Sequence, residues 1–271
     1  MKKIGIFGTP RSGTSWLGHI FNSHPDVALR FQPLFSYGHR GHLSESSSNE
    51  DVMSFFDDIL NTNDAFALMK SDMQKSYPAF QKSELPTHTI FKETRYLNVI
   101  GNMLTQCKEV KIVGMIRNPL AVLASWVLAP KEFNPEWNIH NEWRDAASKN
   151  QNMPEEFYGF TKWRESAAAF LRFKAQYPEQ FFLARYDELN NSPLETTIKL
   201  FDFCGLNVTD QVQEFLVASK SRHDSDPYSI FRAKANDTRW QGVVPLDIVE
   251  TIMQELENTP LAEFISEKKG A

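Results

Sequence analysis

Residues 8–15 read Gly8-Thr9-Pro10-Arg11-Ser12-Gly13-Thr14-Ser15. A short β-rich run, Lys3 to Gly8, leads into them, and Thr14 to Asn22 follows with Trp16, Leu17, Ile20 and Phe21 at helical spacing. The order is strand, glycine loop, helix. The two glycines have the spacing of the phosphate-binding pattern G-x-x-x-x-G-K-[ST], with Thr14 in the lysine position. The loop amides and the positive end of the following helix suffice to hold a phosphate or sulfate group, because that geometry depends on the glycines. Arg11 replaces the missing lysine with a planar fork that bridges two anion oxygens.

Working outward, a second strand-to-helix junction lies at Val110 to Ile116, a continuous apolar run of the kind buried in parallel sheets, followed by Arg117-Asn118-Pro119. Proline suits the first position of the next helix. A metal-dependent triphosphatase would place an acidic residue near such a strand end, so Arg117 suggests a second anion site instead. Further strands are expected at Val27 to Arg30, Phe66 to Met69, Thr87 to Lys92 and Phe181 to Tyr186. Helices are expected at Val52 to Leu60, Tyr96 to Cys107, Glu155 to Ala175, Pro193 to Phe203, Gln211 to Ala218 and Pro245 to Glu257. Gly38 to Asp51 reads as a mobile polar surface loop. Leu128 to Met153, with Trp137 and Trp143, has no sustained period and reads as a lid or acceptor-contacting insertion. The alternation predicts an α/β fold of three layers, P-loop-like, with a central parallel sheet flanked by helices. If the two junctions lie on adjacent strands, they form a crevice at the carboxyl edge of that sheet.

The chain has 271 residues, with 29 Lys plus Arg against 34 Asp plus Glu and 41 % hydrophobic residues. This composition suits one folded domain over 1–271, with the insertion at 128–153. The net charge of −5 and the lack of a basic run speak against a nucleic-acid partner. No apolar stretch reaches the length of a signal sequence or membrane helix, and Cys107 and Cys204 fit neither a metal spacing nor a disulfide framework. The expectation is a cytoplasmic protein without membrane or metal, acting on a small molecule.

These residues resemble the sulfotransferases that use 3′-phosphoadenosine 5′-phosphosulfate, particularly the bacterial, carbohydrate and tyrosylprotein branches. Pro10 to Ser15, with Arg11, Ser12, Gly13, Thr14 and Ser15, looks like their 5′-phosphosulfate loop. Arg117-Asn118-Pro119 followed eight residues later by Ser125 looks like their 3′-phosphate motif. Ser125 would then sit roughly 9 Å up the helix that starts at Pro119, leaving room for a phosphate between its hydroxyl and Arg117. Lys92, in Phe91-Lys92-Glu93-Thr94, resembles the lysine that contacts the transferring group. Tyr186 resembles the strand-end tyrosine near the donor, and Phe231-Arg232-Ala233-Lys234-Ala235-Asn236 the late basic loop over the 3′-phosphate. The resemblance implies sulfuryl transfer from 3′-phosphoadenosine 5′-phosphosulfate to a hydroxyl of a small acceptor, with a carbohydrate preferred and no metal required.

The family's general base is a glutamate after the second strand, and this chain has Gln32 there, 21 residues after Arg11. A glutamine cannot accept a proton at neutral pH, although it can orient a hydroxyl by hydrogen bonding. Three accounts follow: another base such as His42, His39 or Glu93, a weak dependence on any base, or loss of activity. Two rival functions follow as well, a non-catalytic nucleotide-binding module and an atypical P-loop kinase.

Overall fold

A computed structural model describes residues 1–71, 77–231 and 237–265. Five parallel strands form one sheet: β1 (Lys2–Phe7), β2 (Val27–Phe31), β3 (His88–Glu93), β4 (Val110–Ile116) and β5 (Phe181–Arg185). Their spatial order is β2-β3-β1-β4-β5. The helices are α1 (Thr14–Asn22), α2 (Asn49–Leu60), α3 (Ile100–Gln106), α4 (Pro119–Val127), α5 (Ile139–Glu142), α6 (Ala147–Asn150), α7 (Gly159–Gln176), α8 (Tyr186–Asn191), α9 (Pro193–Cys204), α10 (Asp210–Ser221) and α11 (Leu246–Leu256).

The strands bury both faces, and their side chains alternate between two cores, as the two-residue period requires. Ile4 and Ile6 of β1 and Val113 and Met115 of β4 pack on the face covered by Leu17, Ile20 and Phe21 of α1 and by α9 and α10. Phe7, Phe91 and Ile112 point the other way, onto Phe55 and Phe56 of α2, Ile100 and Met103 of α3 and Phe170 of α7. A third cluster joins α4, the start of α7 and α11 around Trp126, Trp163 and Ile252. The expected three-layer α/β arrangement is present. Among the described residues, no helix is long and apolar enough to cross a membrane.

Several local expectations need correction. Residues 66–69 form a turn, because Asp64 Oδ1 accepts from the backbone N–H of Phe66 (2.8 Å) and Ala67 (3.0 Å) and bends the chain before a strand can extend. The 38–48 loop is polar but tied down through buried His39, Leu43 and Ser47, and it ends in a capping box between Ser48 and Asp51 that starts α2. α7 begins at Gly159, four residues late, since Glu156 is held in an ion pair with Arg95 (2.7 Å) outside the helix. β5 stops at Arg185, and Tyr186 opens α8. Trp143 is buried with its ring on Phe160 (5.8 Å), and Trp137 packs on Phe133 (5.5 Å), so both serve the core of the insertion.

His19, on the buried face of α1, is 1 % exposed, and neither ring nitrogen has a hydrogen-bond partner among the described residues. Burial, aided by Lys92 and Lys82, lowers its pKa to about 3. An unfolded histidine titrates near 6.5, so the unfolded chain takes up the proton first and stability falls as pH drops below that value. Between pH 7 and 5 the loss from this group is about 2 kcal/mol. Urea unfolding of His19→Leu at both pH values should show a slope shallower than wild type by that amount. An unchanged slope would mean that His19 does not carry the acid sensitivity.

Candidate active site

Strand register brings the candidate residues to one edge. Phe7 pairs with Glu93 and with Gly114, Phe31 with Lys92, and Ile116 with Arg185, so all five strands present their carboxyl ends together. The chain leaves β1 toward β2 on one side and β4 toward β5 on the other. The loops after these two adjacent strands therefore diverge and leave a crevice between them, as at other α/β ligand sites.

The loop after β1 is tight. Ser12 N–H donates to Thr9 O (3.2 Å), and the Thr9 and Ser12 hydroxyls share a bond of 2.7 Å. Gly13, with φ of 94°, is the N-cap of α1, and a Cβ there would lie 2.6 Å from the Tyr186 ring. A Cβ on Gly8 would lie 2.7 Å from Met115 O of the neighbouring strand. Both glycines are required by close approach. No side chain caps α1, so the loop side of the helix presents backbone donors and the positive end of its dipole to the crevice.

Two arginines meet over that loop. Arg117 Nη1 donates to Arg11 O at 3.0 Å, joining the β4 strand end to the β1 loop. The Arg117 guanidinium lies 4.2 Å from the Tyr186 ring centroid and pairs with Asp237, Nε to Oδ1 at 2.7 Å. Burial opposes its charge, but Tyr186 and Asp237 more than compensate and raise its pKa. Arg11 donates from Nε to Ser125 Oγ (3.1 Å), from Nη1 to Glu132 Oε1 (3.3 Å) and from Nη2 to Pro227 O (2.7 Å). Ser125, on α4, is thus shared ground between the two arginines' elements.

Lys92 is 2 % exposed, with Nζ 4.3 Å from the Phe31 ring centroid. Burial lowers its pKa to about 8, against the opposing charges of Glu93 and Glu132. Glu93 projects from the next position of β3 and so from the opposite face, where Oε1 accepts from Leu34 N–H (2.8 Å). Burial raises its pKa. Gln32 follows β2 in the left-handed region, φ 43°, with its backbone N–H on Lys92 O (2.8 Å) and its amide Nε2 on Thr94 Oγ1 (2.6 Å). His42 is exposed, its ring 5.3 Å from that of His39, with no contact to Arg11, Lys92 or Gln32 among the described residues.

A sequence profile described as the sulfotransferase family matches residues 4–210, well over half of the chain. The chain belongs to the sulfotransferase family. Mouse carbohydrate sulfotransferase 5 is 25 % identical over 265 residues, covering 78 % of this chain and 66 % of its own length. Carbohydrate sulfotransferase 3 of Tetronarce californica is 24 % identical over 319 residues, covering 94 % and 70 %. Human carbohydrate sulfotransferase 3 matches at 23 % over 153 residues, covering 53 % of this chain and 31 % of its own. The chain spans less than two thirds of the length of the mouse and human relatives. Among solved structures, mouse sulfotransferase SULT7A1 complexed with PAP aligns with TM-score 0.56 at 12 % identity, covering 97 % of this chain and 87 % of its own. Retinol dehydratase in complex with androsterone and inactive cofactor PAP aligns with TM-score 0.54 at 13 % identity, covering 96 % and 82 %. These structures share the fold.

In this sulfotransferase-family chain, the loop 8–15, Arg117, Ser125 and Tyr186 converge on one crevice, with Lys92 at the same sheet edge. Arg232 and Lys234 lie outside the described residues. The family assignment sets aside the kinase reading. Sequence reasoning missed four residues that complete the cluster: Glu132, Tyr158, Tyr228 and Asp237. Tyr158 Oη donates to Glu132 Oε2 (3.2 Å), and Tyr228 Oη accepts from Lys131 N–H (2.7 Å) while its ring lies 5.3 Å from the Arg11 guanidinium. None of the four belongs to a motif, and only tertiary packing reveals them.

Proposed function

We propose that this chain transfers a sulfuryl group from 3′-phosphoadenosine 5′-phosphosulfate to a hydroxyl of a small, carbohydrate-type acceptor. The observation that carries the reading is the 3.0 Å bond from Arg117 Nη1 to the backbone carbonyl of Arg11, which joins the end of β4 to the β1 loop and brings one arginine from each strand end to the same crevice. A donor with phosphate groups at both its 3′ and 5′ positions needs two such sites, and a simple nucleotide needs one. The residues present suit it: an uncapped helix N-terminus, two glycines whose Cβ atoms would clash, and two forked cations.

In this reading Arg11, Ser12, Gly13, Thr14 and Ser15 hold the 5′ end. Arg117 and Ser125 hold the 3′-phosphate beside Tyr186, and the charges of Arg232 and Lys234 are assigned to the same phosphate. As in phosphoryl transfer, alignment and charge stabilisation do most of the work. Lys92 and Arg11 stabilise the developing charge at the transferring group, and Gln32 orients the acceptor hydroxyl. Carbohydrate sulfotransferases among the relatives support the acceptor class. Residues 1–271 act as one domain, with 128–153 as the lid. Two free, buried thiols, Cys107 and Cys204, support a reducing, cytoplasmic setting.

Calorimetry with adenosine 3′,5′-bisphosphate (PAP), AMP and ATP tests the donor site. Binding that depends on the 3′-phosphate supports it, and equal binding of PAP and AMP contradicts it.

A further inference from the structure

Gln32 leaves the transfer reading without a proton acceptor at the position where the family supplies one, since an amide takes up no proton at neutral pH and its Nε2 donates to Thr94 Oγ1. Glu93 does not fill the gap: it faces the side of the sheet opposite Lys92, 0 % exposed, with one oxygen held by the Leu34 amide. A different carboxylate reaches the site. Glu132, from the start of the 128–153 insertion, bonds Arg11 through Oε1 and Tyr158 through Oε2, and its charge acts on Lys92.

We infer that Glu132 is the proton acceptor for the incoming hydroxyl, supplied by the insertion in place of the carboxylate missing at Gln32. This inference rests on the transfer reading above. Three features support it. The backbone of Glu132 is fixed, its C=O accepting from Trp126 Nε1 (3.2 Å) and its N–H donating to Ala129 O (2.8 Å). Tyr158 is buried, and burial together with Glu132 pushes its phenol well above the ordinary range. The phenol therefore stays a donor and leaves the carboxylate as acceptor. The Arg11 bond, at 3.3 Å, is the longest of the three that Arg11 makes, so Glu132 is the partner most readily exchanged for a donor oxygen.

The charged and titratable groups facing Glu132 are Arg11 from the β1 loop, Lys92 from β3, Tyr158 ahead of α7 and Tyr228 from the 227–230 segment. In the step itself the acceptor oxygen attacks sulfur and the new O–S bond forms. The S–O bond to the 5′-phosphate breaks with its electron pair passing to that phosphate oxygen. The hydroxyl proton passes to a Glu132 oxygen and from there to solvent.

Glu132→Gln, Glu132→Asp and Tyr158→Phe test the assignment. They are compared with wild type by PAP calorimetry and by radiolabel transfer from the donor to 4-nitrophenyl glycosides of N-acetylglucosamine and galactose as a function of pH. Glu132→Gln should bind PAP as tightly as wild type or more tightly. Its kcat should fall by about 10²–10³ with little change in KM, and the acidic limb of the kcat profile should vanish. Glu132→Asp should restore part of the rate and the limb, and Tyr158→Phe should lower kcat less than Glu132→Gln does. A Glu132→Gln enzyme with kcat and profile near wild type overturns the inference. So does one that loses PAP binding together with transfer, whereas a wild-type protein that binds PAP but sulfates none of the glycosides contradicts the carbohydrate acceptor of the transfer reading. Failure of wild type to bind PAP overturns instead the transfer reading on which the inference rests.

Discussion

Arg11→Ala should reduce sulfuryl transfer by roughly 10²–10³ while the protein stays folded. Arg11 bonds α4, the insertion and the 227–230 segment at once, through Ser125, Glu132 and Pro227. In the proposed reading its charge stabilises the negative charge that develops on the leaving phosphate, and no lysine in the loop substitutes for it. The backbone at Arg11 has φ of 70°, which alanine tolerates no better than arginine, so the conformational penalty stays nearly constant between the two. The stability change comes from lost hydrogen bonds, about 1–3 kcal/mol, and should appear as a lowered Tm with one cooperative transition. Arg11→Lys keeps the charge but loses the fork, so it should recover only part of the rate. An Arg11→Ala enzyme with near wild-type turnover would refute the role.

Lys92→Met should separate stability from activity. The lysine is buried against Phe31, and its ammonium carries a desolvation cost that methionine of similar length removes. Thermal stability should therefore hold or rise, while transfer falls by roughly 10²–10³. The pH dependence gives a second readout. Burial lowers the Lys92 pKa to about 8, so the charged form that its proposed role requires is lost as pH climbs through that value. Wild-type kcat should decline on the alkaline side, and the residual rate of Lys92→Met should not. Parallel loss of stability and rate, with the alkaline limb retained, would assign Lys92 to packing instead.

The strand-loop-helix units were the most legible part of this chain. α1 spans Thr14–Asn22 and β4 spans Val110–Ile116, as their apolar patterns indicate, and Pro119 starts α4. Local chemistry decides such junctions: a glycine with positive φ, a proline at the first helical turn, an unbroken apolar strand. The convergence of Arg11, Arg117 and Ser125 followed from the same junctions once the strands were adjacent. Phe66 to Met69 misled because its apolar run gives no sign of Asp64 capping the turn from two residues upstream. Tyr186 misled for a related reason, since one residue separates a strand end from a helix start. Glu132 and Asp237 were illegible. Each lies in a segment without period, and each meets its arginine across more than a hundred residues of chain. Only the packing of Trp126 on the insertion and of residues 237–240 beside α4 creates those pairs.

The central claim is a donor site with separate places for the 5′ and 3′ phosphates, and calorimetry with PAP and AMP on wild type and Arg117→Ala tests it most directly. Two charge-assisted contacts to the 3′-phosphate predict that wild type binds PAP at least about 100-fold more tightly than AMP in the presence of a metal chelator. Arg117→Ala should lose most of that preference and keep its affinity for AMP. Equal affinity of wild type for PAP and AMP, or tight ATP binding that requires magnesium, would contradict the account.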